Sequence, residues 1–487
     1  MGIVARQSIY NLFSIGFAFL IGSINMLYLY PSFPGKEFQG LIVALLANSN
    51  LIQPFLSFGL QHTLIKFFSN TKDKIEKDRL LWFVLLFPLL ILILLFPVYS
   101  YYNIEILGFL SNDNEKVGRF PFLIIAIAIS TAYFEIFFSW LRVHLKSVFG
   151  NFLKEVYPRV LTFILLVFYA FELIDINQFI IYLILGYYIR LFIIISYSFS
   201  TYVPRFQFHL PQDWKSLLRY SGLIFLSGAA ASFILDIDKS MIYSLTSDVN
   251  VAFYAVAIYI AAVIEAPGRA MFQITSPLVA LALNSNDNLR LENLLKKSSI
   301  NLMVVSGLLF LIINLNLGDF YQIINQEGYS SAIGVVVVVS IGKLFSMSLG
   351  CINNIISNSK YYSYIFWFSI CSAMLAIALN YIFIQKYGIL GAALATLIVI
   401  VFINICKMVL IHFLFKIHPY SLKTLTLVLS IIFIYFLVFH VPSILNPWIS
   451  IFFRSLLILG LFCIPLFVFN LSKDIELLFQ KIFRQLF

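Results

Sequence analysis

Of the 487 residues, 61% are hydrophobic and only 11% charged, where a soluble domain is about half apolar and about a quarter charged. This excludes an ordinary soluble enzyme and predicts an all-α integral membrane protein, with no long polar segment to form a soluble catalytic domain. The net charge of +10 does not point to nucleic acid, because the basic residues lie between apolar runs, where they act as orientation signals.

Apolar runs of roughly 20 residues, enough to cross about 30 Å of hydrocarbon as helix, predict about 14 transmembrane helices. They fall near 8–30, 39–66, 80–101, 120–142, 154–172, 177–199, 219–242, 251–281, 299–316, 331–357, 361–384, 388–412, 422–440 and 448–470. The first run is too long for a signal-peptide core and lacks a small-residue cleavage site, so it counts as a span. The runs at 39–66 and 251–281 exceed a bilayer's need and are expected to tilt or to extend into the cytoplasm.

Lys and Arg in the connections set the orientation. With the N-terminus inside, 23 basic residues fall on the cytoplasmic side and 5 on the outer side (Lys36, Lys116, Arg119, Lys239, Lys386). The bias alternates span by span and predicts cytoplasmic N- and C-termini. Arg190, Arg269, Lys343 and Arg454 fit neither side because they lie within spans; Glu135 is their acidic counterpart.

An offset of 213 residues lays the first two spans on the seventh and eighth, placing Pro54 on Pro267, Asn25 on Asp238 and Gly16 on Ala229. Two six-helix lobes in parallel repeat follow, residues 1–205 and 206–420, with residues 421–487 adding two helices and a cytoplasmic tail.

Ionised side chains at bilayer depth cost roughly 2.5–3.5 kcal/mol each, so they normally face a wet cavity or a partner. The stretch 222–283 concentrates Asp236, Asp238, Lys239, Glu265 and Arg269, with Pro267 among them. Lys239 either sits in an interfacial salt bridge or faces a cavity as an anion site tuned by Asp236 and Asp238. Arg269 either snorkels to the interface or offers its planar donors to phosphate, with Glu265 one turn away as a partner in the empty state. Arg190 and Lys343 are further anion candidates, whereas Arg454 reads as an outer-interface residue. Glu135 is an ion-coupling site or the partner of Arg190; Asp236, Asp238 and Glu265 are the other ion-coupling candidates. Pro54 and Pro267 are candidate hinges, since proline removes a backbone hydrogen bond.

The small-residue run Gly388–Thr396 reads as a helix-packing seam. Cys351, Cys371, Cys406 and Cys463 stand singly in apolar runs and read as small buried residues, with no metal or disulfide spacing. No nucleotide-binding, zinc-protease or nucleophile-elbow motif is present, so no catalytic residue and no cofactor is expected beyond H+ or Na+ coupling.

Three stretches together resemble the polysaccharide-biosynthesis flippases of the multidrug/oligosaccharidyl-lipid/polysaccharide (MOP) superfamily. They are DKSMIYSLTSDVNVAFYAVA (Asp238–Ala257), NNIISNSKYY (Asn353–Tyr362) and NYIFIQKYGILGAALATLI (Asn380–Ile398), the last being the most specific. Tyr243 departs from the family's frequent glycine. The resemblance implies two six-helix lobes around a central cavity, and a multi-pass protein of the bacterial inner membrane. It further implies movement of an undecaprenyl-diphosphate-linked oligosaccharide (capsule, O-antigen or other polysaccharide repeat unit) to the periplasmic leaflet by alternating access. Lipid-linked oligosaccharide and membrane lipids are then the partners, with a polymerase and glycosyltransferases acting nearby. A peptidoglycan-precursor flippase and an ion-coupled multidrug antiporter are the alternatives within the superfamily. A polysaccharide polymerase or ligase is the enzymatic alternative, disfavoured by short outer connections.

Overall fold

The computed structural model describes residues 14, 16–71, 73–101, 121–144, 146–207, 209–324, 328–442 and 446–472. Most of the first half of the first expected span, the connection 102–120, expected on the outer side, and the expected tail 473–487 lie outside them. Among the described residues the regular structure is entirely helical. Nine stretches among them are long and apolar enough to span a membrane, so the chain is a multi-pass membrane protein. Contacts group the chain into two compact units, Met1–Ala252 and Phe253–Phe487.

In the first unit, residues 16–24 are helical and run into a π-helical turn, Asn25–Leu29. Helix α1 (Gly35–Ser57) follows and stops where Phe58, at φ 45°, donates its N–H to the Pro54 carbonyl. Gly59, at φ 70°, continues the turn, and α2 (Leu60–Asn70) begins. The expected single span 39–66 is therefore two helices. Gly59 is required twice over: its φ is left-handed, and a Cβ there would lie 2.7 Å from the Ser221 carbonyl oxygen.

The unit continues through α3 (Lys74–Tyr101), α4 (Pro121–Val143), α5 (Ser147–Glu155), α6 (Tyr157–Ala170), α7 (Ile176–Thr201) and α8 (Trp214–Leu245). A capping box starts α7: Asp175 accepts from the Gln178 N–H at 2.7 Å, and Gln178 accepts from the Asp175 N–H at 2.9 Å. Helix α4 packs on α1 and α7, burying Phe134, Phe137, Trp140 and Leu141 with Leu191 and Ile194 of α7. Helix α8, which opens the second lobe in the sequence reading, makes its main contacts here, on α1 and α2.

Helix α9 (Asp248–Ala262) begins in the first unit and ends in the second, where a 3₁₀ turn, Val263–Glu265, and α10 (Ala266–Asn284) follow. The expected span 251–281 thus breaks before Pro267. That proline occupies the first turn of α10, where its missing N–H removes no helical bond. Then come α11 (Asn288–Leu315), α12 (Leu317–Ile324), α13 (Ile333–Ser348), α14 (Ile352–Asn358), α15 (Ser363–Phe415), α16 (Leu422–Phe439) and α17 (Pro447–Val468).

Gly350, at φ 60°, separates α13 from α14, and a Cβ on it would meet Ser298 and Ser299 of α11 at 2.5–2.6 Å. The 53-residue α15 is two helices joined at Gly388, whose φ is 57° and ψ −136°. Gly391 beyond it is buried and too close to the Phe383 carbonyl for any Cβ, so the small-residue run does serve close backbone approach. Helices α16 and α17 cover α11 through Ile431, Ile434, Ile458 and Phe462. Their other faces expose Phe433, Phe436, Phe452 and Leu456, a patch suited to lipid and not to water. Of the cysteines only Cys351 is buried; Cys371 is exposed on α15.

Candidate functional site

The charged residues singled out in the sequence fall into four separate sets, each lying within one unit.

The first is a polar seam between α1 and α8. Asp236 is 9% exposed; its Oδ1 accepts from Lys239 Nζ at 2.6 Å and its Oδ2 from Asn50 Nδ2 at 3.1 Å. Four residues further along α8, Ser240 donates to Asn48 Oδ1 at 2.7 Å. Helical spacing brings Asp236 and Lys239 together as an i,i+3 pair, which leaves the lysine held by a carboxylate. Asp238 is buried beside them at 7% exposure. The polar side chains of α1 that complete this seam, Asn48 and Asn50, carry no charge and leave no mark in a reading based on charge.

The second set surrounds Arg190 on α7. The residue is 4% exposed, and its guanidinium carbon lies 4.3 Å from the Phe134 ring centre and 4.6 Å from that of Tyr187. Two aromatic faces therefore stabilise the cation. Its Nε and Nη2 have no hydrogen-bond partner among the described residues. Glu135, the next residue after Phe134, does not pair with Arg190. Its Oε1 accepts from Lys154 Nζ of α5 at 2.7 Å.

The third set lies in the second unit where the helix breaks. Glu265, last residue of the 3₁₀ turn, is ion-paired with Lys343 of α13. The expected Glu265–Arg269 pair is not formed. Arg269 is exposed and makes no ion pair or hydrogen bond among the described residues. Ser306 of α11 donates to the Ile264 carbonyl at 2.8 Å, satisfying an acceptor that the break leaves without a helical donor. One turn past Glu265, Gly268 lets α10 approach α13: a Cβ there would lie 2.7 Å from the Met347 sulfur.

The fourth set is Arg454 of α17, which is held in an ion pair with Asp319. Its Nη1 donates to Asp319 Oδ2 at 2.7 Å and to the Leu315 carbonyl at 3.0 Å, and Nη2 donates to the Val441 carbonyl at 3.2 Å. This is a buried structural clamp on α12, with Asp319 2% exposed.

The two candidate hinges both lie beside breaks, Pro54 four residues before the left-handed Phe58 and Pro267 two residues after the 3₁₀ turn. Asn354, from the second motif, joins α14 to α10 by donating to the Phe272 carbonyl and Thr275 Oγ1, each at 2.9 Å. Of the four candidate anion-binding cations, then, two are held by carboxylates, one is stacked between rings, and Arg269 has no partner among the described residues.

Residues 4–266 match the sequence profile of a family described as polysaccharide biosynthesis protein. The chain belongs to that family. As a polysaccharide biosynthesis protein it shares its fold with transporters of the MOP superfamily. The structure of the lipid II flippase MurJ in an inward closed conformation superposes with a TM-score of 0.75, at 16% identity, over 96% of this chain and 98% of that one. An inward-facing multidrug resistance MATE family transporter of the MOP superfamily gives 0.64, at 14% identity, over 84% of this chain and 94% of that one. An aspartate-to-asparagine mutant of the Vibrio cholerae MATE transporter VcmN gives 0.58, at 13% identity, over 84% of this chain and 95% of that one. No curated protein sequence matches the chain.

Proposed function

We propose that this polysaccharide biosynthesis protein is a flippase. It carries an undecaprenyl-diphosphate-linked oligosaccharide from the cytoplasmic to the periplasmic leaflet of a bacterial inner membrane by alternating access. Fourteen spans with both termini in the cytoplasm belong to the proposal, supported by the 23-to-5 distribution of basic residues. The observation that carries it is Arg269, an exposed guanidinium without an ion pair among the described residues, placed next to a helix break on a stretch long and apolar enough to span a membrane. An unpaired cation at that depth favours an anionic ligand, and guanidinium presents two parallel donors to phosphate oxygens. A carrier of cationic drugs calls for the opposite sign of charge.

A peptidoglycan precursor is the second reading, favoured by the extent of the likeness to the lipid II flippase MurJ. Lipid-linked glycans compared in cells with and without the protein test both. Accumulation of a complete undecaprenyl-diphosphate oligosaccharide on the cytoplasmic side upholds the first reading and names the glycan. Accumulation of the peptidoglycan precursor transfers the role to the second. Unchanged lipid-linked glycans reject both, and a repeat unit that reaches the periplasm unpolymerised assigns a polymerase instead.

A further inference from the structure

Lys343 and Glu265 read separately in the sequence as a phosphate site and an ion site, yet they hold each other. The chain fixes this pair from both sides. Glu265 cannot follow the α-helical register because it closes a 3₁₀ turn, and Ser306 anchors that turn through the Ile264 carbonyl. Lys343 is held opposite by the close approach of α13 to α10 at Gly268 and Met347. Both side chains keep partial access, 22% for Lys343 and 34% for Glu265, so an incoming ligand can reach the pair.

Few other charges face it. Three elements pack against the 3₁₀ turn: α10, α11 and α13. Helix α10 carries one charged residue, Arg269; α13 carries one, Lys343; and α11 carries none after Lys297, presenting Ser306 at this level. The local balance is two cations against one carboxylate. An anion that reaches Lys343 therefore meets a cation already occupied by Glu265.

Resting on the flippase reading, we propose that Lys343 is a phosphate-binding residue guarded by Glu265, and that the substrate's diphosphate displaces the carboxylate, which takes up one proton. A diphosphate carries more charge and more acceptor oxygens than a carboxylate, so it competes well for an ammonium donor. The displaced carboxylate then lies beside a polyanion at membrane depth. Like charge and desolvation both disfavour its ionised form. The proton comes from water and bonds to a Glu265 oxygen; no other bond forms or breaks. Lipid diphosphate and one proton are thereby bound together and discharged together.

The test uses the full-length protein in detergent, with undecaprenyl diphosphate lacking any glycan as the probe. Proton uptake on binding is read with an indicator dye in weakly buffered solution. Wild type is expected to take up about one proton per lipid bound, by linkage between the two equilibria. Glu265→Gln should bind about tenfold tighter, its competitor gone, with uptake reduced to the background of the lipid itself. The neutral double variant Glu265→Gln/Lys343→Met removes both charges, so it folds even where a single variant leaves a charge stranded. It should bind about tenfold more weakly than Glu265→Gln and take up no proton. Binding by wild type without proton uptake, or uptake that persists in Glu265→Gln, overturns the exchange and leaves the flippase reading standing. Binding that requires sodium and takes up no proton overturns it as well. No binding of the lipid diphosphate by wild type overturns the exchange and the flippase reading together.

Discussion

Arg454 and Asp319, 135 residues apart, form an ion pair with Nη1 2.7 Å from Oδ2 and side-chain exposures of 10% and 2%. Ser450 donates to the same carboxylate oxygen at 2.8 Å, so α17 is tied to α12 by two donors on one acceptor. Removing one partner of a buried pair strands the other, which costs about 3–5 kcal/mol, whereas replacing both with apolar residues is often neutral. Arg454→Leu and Asp319→Leu are each expected to lower the melting temperature sharply in detergent. The double variant should recover most of the loss. A double variant no better than the worse single one would mean the carbonyl contacts of Arg454 matter more than its ion pair.

Gly40 sets how closely α1 approaches the chain at the start of α9. A Cβ there would lie 1.7 Å from the Asp248 carbonyl oxygen, with the neighbouring backbone carbon at 2.5 Å. No side-chain rotation relieves a clash with backbone, so Gly40→Ala is expected to destabilise by about 3 kcal/mol, the upper range for overpacking. Gly16→Ala is the control, since nothing lies within 4 Å of its added methyl. Thermal melting of the two purified variants separates them: Gly40→Ala falls and Gly16→Ala stays level or rises slightly.

Just past the end of α7, the Tyr202 hydroxyl donates to Asp78 Oδ1 at 2.5 Å, and Asp78 is 1% exposed. Tyr202→Phe leaves this buried carboxylate without that donor, at a cost of about 1–3 kcal/mol. Burial first, and then the Asp78 hydrogen bond, raise the Tyr202 phenol from 10.0 to about 12. A raised folded value means the bond's contribution is complete below pH 10 and disappears as pH climbs through about 12. Melting temperatures of wild type and Tyr202→Phe should therefore differ by a constant amount from pH 7 to 10 and converge above that.

Helical spans are legible in the sequence because hydropathy adds along the chain and needs no partner. The separation of 361–384 from 388–412 is legible too, since Gly388 marks the joint, and the structure breaks α15 there. The breaks inside the two longest runs are not, because Phe58–Gly59 and Val263–Glu265 are set by what packs against them, Ser221 in one case and Ser306 in the other. Charge pairing divides in the same way. Asp236–Lys239 follows from helical spacing within α8, whereas Glu135–Lys154 and Glu265–Lys343 join separate helices and have no spacing signal. Spacing misleads at Glu265: four residues separate it from Arg269, but i,i+4 proximity presupposes an α-helix, and Glu265 closes a 3₁₀ turn.

Arg269 and Lys239 both read as phosphate-binding cations, and their surroundings predict opposite outcomes for the same substitution. Lys239 neutralises Asp236, which is buried and otherwise accepts from Asn50. Lys239→Ala is therefore expected to reduce the amount of folded protein, and Asp236→Asn in the same chain to restore it. Arg269 has no ion pair or hydrogen bond among the described residues, so Arg269→Ala should leave folded protein at the wild-type level while polysaccharide export falls at least roughly tenfold, the loss expected for a charge-assisted contact. Arg269→Lys keeps the charge but loses the paired donors, and should export at an intermediate rate. Folded protein measured by size-exclusion chromatography, alongside export in cells, decides between them. Normal export by Arg269→Ala at normal protein levels would remove this residue from transport and leave the guarded Lys343 as the phosphate contact to examine.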